Sequence, residues 1–317
     1  AGGNVAADLA RWDGSNWSSM GLGGVGTTVY ALTASATHLY VGGGFDSIDG
    51  VAANRVARWD GQAWTSLGTG TQNGTAGGVT ALAVSGSKVY VGGTFTLAGG
   101  QTANRIAQWD GVAWSSLGSG STNGTSGPVR TLAMYGTDLY VGGQFQQAGG
   151  ASARNIARWS GSAWASLEGN ATNGVNSQVR SLAVHDGQLV VGGYFTQAIG
   201  IAALHLARWN GTAWSGFPTN VGSGGVEAVV ADNNALYVGG DHRYAGGNPA
   251  DHIARFDNDG WSALGPARSA SNGVNGGVGA LATIGPDVFL CGQFTEAGAG
   301  TVSNIARLSA GTWSGLG

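Results

Sequence analysis

The chain repeats itself about every 50 residues, and a period of that size decides what it can fold into. The string Ala-Arg-Trp-Asp-Gly-x-x-Trp-x-x-Leu-Gly has its first aromatic position at Trp12, Trp59, Trp109, Trp159 and Trp209, with Phe256 and Leu308 in the last two copies. The steps between these positions are 47, 50, 50, 50, 47 and 52 residues. A second string, Leu-Tyr-Val-Gly-Gly-x-Phe, has six copies, whose glycine pairs are 42–43, 92–93, 142–143, 192–193 and 239–240, with Cys291-Gly292 in the sixth.

One unit contains four short β-type runs, for example 79–84, 88–95, 105–109 and 114–117. None is long enough for a helix, and turn chemistry separates them: Ser85-Gly86-Ser87, Ala98-Gly99-Gly100, Asp110-Gly111 and Asn73-Gly74. A small four-stranded sheet cannot bury both faces until neighbours stack on it, so this repeat predicts an all-β propeller of four-stranded antiparallel blades. Complete a-b-c-d units are expected at roughly 28–68, 78–118, 128–168, 178–217, 225–265 and 277–317, in a single domain spanning 1–317. Residues 5–20 add a c-d hairpin without an a-b partner. Six complete blades plus that hairpin is the expectation; seven blades is the alternative, if an upstream a-b hairpin belongs to the natural protein.

Composition narrows the partners. Of 317 residues, 61 are Gly and 12 are Trp, and Lys and Arg together number only 14 against 17 acidic residues. A net charge of −3 offers no basic surface for nucleic acid and no polybasic membrane patch. No apolar stretch approaches the ~18 residues of a membrane helix, and no basic segment followed by an apolar run opens the chain, so a soluble, mature or trimmed chain is expected. Cys291 is the only cysteine, which excludes an intrachain disulfide and a cysteine-based metal site. No cofactor is expected.

The order of a strand b ending in Tyr-Val-Gly-Gly, an aromatic-Asp pair closing strand c and Trp-x-x-Leu in strand d resembles the Kelch repeat. The longer string Gly-Gly-x-Phe-x-x-Ala-Gly-Gly-x-x-x-Asn-Arg-Ile-Ala-Arg, seen over 92–108 with Gln108 at its end, is similar to delta-60 type repeats of large bacterial surface and secreted proteins. The resemblance covers nearly the whole chain and implies an extracellular or cell-surface setting. The Trp-Asp pairs echo WD repeats, but the Gly-His pair of that family is absent. A lone Cys291 cannot supply a galactose-oxidase-like copper and Tyr-Cys cofactor.

Tryptophan invites a sugar-stacking reading, yet all 12 Trp occupy the two aromatic slots of the repeat. A residue recurring at one spacing in every blade is expected to pack between blades. The Arg before the first slot (Arg11, Arg58, Arg158, Arg208, Arg255, Arg307; Gln108 once) is discounted as framework for the same reason. Cys291, standing where other blades have the first Gly, is expected to be a small buried thiol.

Candidate site residues are those that break the consensus. In a four-stranded antiparallel blade the b-c and d-a connections share a face, and three variable positions should converge there. The second residue of strand a reads Tyr30, Thr80, Arg130, Arg180, Glu227 and Gly279; the residue after the double Gly reads Gly44, Thr94, Gln144, Tyr194, Asp241 and Gln293. The start of strand c reads Asp8, Arg55, Arg105, Asn155, His205, His252 and Asn304. The fifth blade deviates most, with Asp241-His242-Arg243-Tyr244 and Asp251-His252. Ligand-binding candidates are therefore Tyr30, Arg130, Arg180, Glu227, Gln144, Tyr194, Asp241, His242, Arg243 and His252; neither a catalytic residue nor a metal site is assigned. Two imidazoles near two carboxylates could hold a metal, but no tight His spacing on one element supports it.

The leading functional expectation is a non-catalytic surface propeller that binds a glycan or a protein on the b-c/d-a face. One alternative is a carbohydrate-active lyase or hydrolase using Arg130, Arg180, Glu227, Tyr194 and His242; with only three Glu in the chain, spacing does not select such a pair of carboxylates. Another is a purely structural module of a larger surface protein.

Overall fold

The computed structural model describes residues 9–20, 28–167, 173–222, 224–265 and 272–316. Apart from two single-turn 3-10 segments, Gly70–Gln72 and Gly120–Thr122, the regular structure of the described residues is all strand. Six four-stranded antiparallel sheets form the six blades of a β-propeller fold. By contacts the chain divides into two compact units, Ala1–Ser166 and Leu167–Leu316, which carry blades one to three and blades four to six respectively.

Blade two shows the plan. Strand a (Val79–Ser85) pairs with strand b (Lys88–Gly93), b with c (Ile106–Trp109), and c with d (Trp114–Ser116). Between b and c the chain adds a two-stranded ribbon, Leu97–Ala98 with Gln101–Thr102, in the segment the sequence reads as a loop. The ribbon recurs in all six blades. It is too short for alternation to reveal, but it seats the Ala-Gly-Gly turn on the strand-d tryptophan: a side chain at Gly99 would meet the ring of Trp114 at 2.5 Å.

The first unit's core forms between blades. Ala81, Ala83 and Tyr90 of blade two cluster with Val129, Leu132 and Leu139 of blade three, all 9% exposed or less. Trp109 and Trp114 face each other across strands c and d with ring centroids 5.5 Å apart. The Trp114 indole N–H donates to the Leu67 carbonyl of blade one at 2.9 Å, and Trp164 donates to Leu117 of blade two at 2.8 Å. In the second unit Trp313 likewise donates to Leu264 at 3.2 Å. These strand-d tryptophans are thus staples between neighbouring blades, whereas the strand-c indoles of Trp109, Trp159 and Trp209 pack without a partner for their N–H.

The double glycine has two separate causes. A Cβ on the first member would collide with the leading Val of the next strand a: Gly92 with Val129 at 2.5 Å and Gly192 with Val226 at 2.6 Å. A Cβ on the second would fall 2.0 Å from the Gly78 carbonyl oxygen at Gly93, and 2.2 Å from that of Gln178 at Gly193. Blade six breaks the pattern with Cys291. That thiol is exposed rather than buried, which corrects the sequence expectation; no later blade of its own unit covers that face, where Ala280 and Ala282 are also exposed.

The N-terminal segment forms the expected lone hairpin, Ala10–Trp12 paired with Trp17–Ser19. It packs on blade one, with Leu9 and Met20 in the cluster around Val41 and Phe45, and Trp64 donates its indole N–H to the Met20 carbonyl at 2.9 Å.

Candidate functional site

The variable second residue of strand a is a β-bulge in every blade. Registers shift between Gly92 and Gly93 opposite Thr80, and across Tyr30, Arg130, Arg180, Glu227 and Gly279 in the other five. A bulged residue has no partner opposite it and its side chain is re-aimed out of the alternation. This is why the position tolerates such different residues, and why its side chain can reach the next blade: Thr80 donates its hydroxyl to the Val129 carbonyl at 2.6 Å.

The residue after the double Gly lies beside the bulge. Its backbone N–H donates to the carbonyl ahead of strand a, as in Gln144 to Pro128 (2.9 Å), Tyr194 to Gln178 (3.0 Å) and Asp241 to Gly225 (3.1 Å). The b-c and d-a connections do share a side: Asn104 Nδ2 donates to the Asn123 carbonyl at 3.0 Å, and the Asn104 N–H donates to Asn123 Oδ1 at 2.8 Å. These Asn-Asn clamps recur as Asn54 with Asn73, and the Asn-Gly repeats were their only trace in the sequence.

The third series behaves differently. Arg55, Arg105, Asn155, His205, His252 and Asn304 all have φ between 61° and 65°, the left-handed region. Asn and His tolerate it better than most non-glycine residues. Several of these side chains are held locally: Arg55 pairs with Asp46 at 2.5 Å and His252 Nδ1 lies 3.2 Å from the Gly240 carbonyl within their own blades, while Arg105 Nη1 donates to the Thr125 carbonyl of the following d-a connection at 3.2 Å. Backbone conformation accounts for this series, and His252 is 9% exposed. Asp8 lies outside the described residues.

In the first unit, Tyr30 is 57% exposed at the bulge of blade one, Arg130 is half-buried at that of blade three, and Gln144 is exposed beside Arg130. The densest arrangement is in the second unit. Arg180 Nε donates to Glu227 Oε2 at 2.7 Å, joining the bulge residues of blades four and five. The Tyr194 hydroxyl donates to Glu227 Oε1, and its ring lies against Gly225, where a Cβ would be 2.4 Å from the ring edge. Hydrogen bonding to the carboxylate, with burial second, pushes the Tyr194 phenol up to about 12. Asp241 is exposed and extends over Gly277 at the start of blade six. The outcome is a polar ledge on one carboxylate, one guanidinium, one phenol and a free-standing second carboxylate.

The structure places the other fifth-blade candidates elsewhere. His242 takes the position of Phe45, Phe95, Phe145, Phe195 and Phe294, with 0% exposure. Its backbone carbonyl accepts from the His252 N–H at 2.8 Å, so strands b and c do bring the two together, but neither ring nitrogen of His242 has a partner. Burial, helped by the proximity of His252 and His205, pulls its imidazole down to about 4. A neutral ring in a phenylalanine slot is a core residue. Arg243 is exposed on the b-c connection. Among the described residues, no three His, Cys, Asp or Glu side chains gather in a metal-binding group.

A β-propeller domain family of unknown function, DUF5122, matches residues 87–108. That stretch holds strand b, the ribbon and all but the last residue of strand c of blade two. No curated protein is significantly similar to the chain. Among solved structures it is similar to YCF48 bound to D1 peptide, at 18% identity, TM-score 0.54, over 95% of this chain and 84% of that one. It is also similar to the computationally designed Ika8 protein, at 15% identity, TM-score 0.52, over 90% of this chain and 73% of that one. At these identities the likeness establishes the β-propeller fold and nothing finer.

Proposed function

We propose that this chain is a non-catalytic binding module of an extracellular or cell-surface protein, taking a glycan or a protein ligand on the face that carries the b-c and d-a connections. The observation that carries this reading is the Arg180–Glu227–Tyr194 network with Asp241 beside it. Three divergent side chains of the second unit meet there, Arg180 and Tyr194 both donating to the Glu227 carboxylate, on strands whose other residues largely repeat from blade to blade. Fixed, partly exposed hydrogen-bonding groups on a rigid sheet scaffold are what recognition of a polar ligand requires. The Kelch-like and delta-60-like repeat strings support the surface setting. Fold alone does not assign a ligand.

A glycan array paired with a screen for polysaccharide breakdown tests the proposal. Binding without turnover is expected, and Arg180→Ala with Tyr194→Phe should abolish it while shifting Tm by no more than a few degrees. Product formation would replace the reading with an enzymatic one. A collapse of thermal stability in these variants would make the network framework and overturn the site.

A further inference from the structure

We propose that a polar cavity between blades two and three binds one uronic acid residue, a six-membered sugar ring bearing a carboxylate, with Arg105 as its counter-charge. This deepens the reading of a glycan ligand on the b-c and d-a connections but stands on other residues. The cavity lies wholly within the first unit and shares no residue with the Arg180–Glu227–Tyr194 network.

The cavity has a volume of about 140 Å³. Its walls are Asn104 and Arg105 at the start of strand c of blade two, residues 121–126 of the connection into blade three, and Gln147 and Gly150 of blade three. Engineered cavities of about 150 Å³ admit a benzene-sized guest, so there is room for one six-membered ring. The wall is held in place by Asn123, whose Nδ2 donates to the Gly120 carbonyl at 2.8 Å while its Oδ1 accepts from the Asn104 N–H at 2.8 Å. A site fixed before the ligand arrives spends less on ordering it.

Arg105 is the only charged residue on that wall. Its Nη1 donates to the Thr125 carbonyl, but Nε and Nη2 have no hydrogen-bond partner, and the guanidinium no ion pair, among the described residues. A half-buried guanidinium without a counter-charge matches a carboxylate, which can accept two of its N–H donors at once. Ser126 Oγ already accepts from the N–H groups of Gln146 and Gln147, at 3.1 and 3.0 Å, which leaves its own proton to donate to a ligand oxygen. The Gln147 amide offers both a donor and an acceptor to a ring hydroxyl.

The corresponding place between blades one and two supplies an internal control. There Arg55 stands for Arg105, and Asp46 neutralises it at 2.5 Å; the counterpart of Asp46 in blade two is Thr96. The Ala76 N–H donates to the Leu97 carbonyl at 3.0 Å as the Ser126 N–H does to the Gln147 carbonyl at 2.9 Å, so Ser126 and Gln147 have apolar counterparts. The Asn clamp is common to both places. Three changes therefore coincide on one shared framework: a carboxylate is lost, a hydroxyl is gained and an amide is gained. Each suits a polar, negatively charged ligand, and the framework requires none of them.

Calorimetric titration of the full chain with glucuronate and galacturonate, against glucose and galactose, tests the proposal. Saturable binding of at least one uronate at a single site is expected, with the matching neutral sugar at least tenfold weaker. Thr96→Asp, which places beside Arg105 the charge that Asp46 places beside Arg55, should weaken binding tenfold or more with circular dichroism and Tm unchanged. The double variant Ser126→Ala with Gln147→Leu, which carries the residues of the other seam, should do the same. Absence of uronate binding overturns the proposal, as does equal binding of the neutral sugar. Displacement of the uronate by inorganic phosphate at equal concentration would reduce the cavity to a simple anion site and also overturns it. Binding that survives Thr96→Asp but is lost in Arg180→Ala would move the ligand to the second unit's ledge, overturning this site while leaving the functional reading in place.

Discussion

Glu227 accepts hydrogen bonds from both Arg180 and Tyr194, a guanidinium from the strand-a bulge and a phenol from the end of strand b of the blade before it. Bulge geometry brings these together: Arg180 and Glu227 are 47 residues apart in sequence and occupy the same place in consecutive blades. The pair is only partly shielded, with side-chain exposures of 32% and 17%, so it organises the ledge more than it stabilises the fold.

Alkaline titration should expose this link. Glu227 holds the Tyr194 proton, so the folded phenol titrates near 12 rather than 10. A proton held more tightly in the folded state contributes stability that is complete below pH 10 and is lost as pH rises towards 12. Denaturation midpoints followed from pH 9 to 12 should fall with a steeper slope in the parent than in Tyr194→Phe. Glu227→Gln should move the Tyr194 phenolate transition, read by ultraviolet absorbance, back towards 10.

His242 predicts acid sensitivity of the second unit. Its folded imidazole titrates near 4 against an ordinary 6.5, so the unfolded chain binds the proton first as pH falls. Stability attributable to this group is intact above 6.5 and declines through the window down to about 4, by up to ~1.4 kcal/mol per pH unit. His242→Phe restores the residue the other five blades carry and removes two unpartnered buried nitrogens. Urea unfolding at pH 7 should show a gain of about 1–3 kcal/mol, and the pH 4–6.5 loss should shrink.

The architecture was legible because every blade states it. Trp and Gly spacing pointed to the strand order, to six complete blades with seven as the alternative, and to the lone hairpin without a single long element. The bulge was not legible: a one-residue offset in pairing leaves no mark in a run such as Val129-Arg130-Thr131, and only the ladder reveals it. His242 and His252 show the same limit. As letters they are two imidazoles ten residues apart; in space one fills a phenylalanine pocket and the other holds a left-handed backbone. Arg180, Glu227 and Tyr194 were found by contrast among blades, but their mutual bonds depend on side-chain reach across the blade boundary, which composition does not encode.

The staple between blades one and two should be separable into its polar and apolar parts. Trp114→Phe keeps most of the ring but loses the indole N–H that donates to the Leu67 carbonyl, leaving that acceptor without this donor. A loss of about 1–2 kcal/mol is expected from chemical denaturation. Trp114→Ala also removes the ring from Trp109 and from the Gly99 turn, and should cost about 3–5 kcal/mol.

Gly192→Ala tests whether the first glycine of each pair is required by packing rather than by backbone conformation. Gly192, next to last in strand b of blade four, has no left-handed φ, so alanine is acceptable to the local chain and by propensity alone would be neutral or mildly favourable. Its Cβ would nevertheless lie 2.6 Å from Val226 Cγ1 and 3.1 Å from Val229 Cγ1 of blade five, inside contact distance on both. Val226 is fully buried and Val229 nearly so, leaving neither room to turn aside. Overpacking at such a seam should destabilise by about 1–3 kcal/mol. The double variant Gly192→Ala with Val226→Ala should recover part of that loss, because the added methyl then takes the space the valine vacates. A single variant as stable as the parent in urea would show that the seam yields, and that the glycine pair owes its recurrence to the carbonyl approach at Gly193 alone.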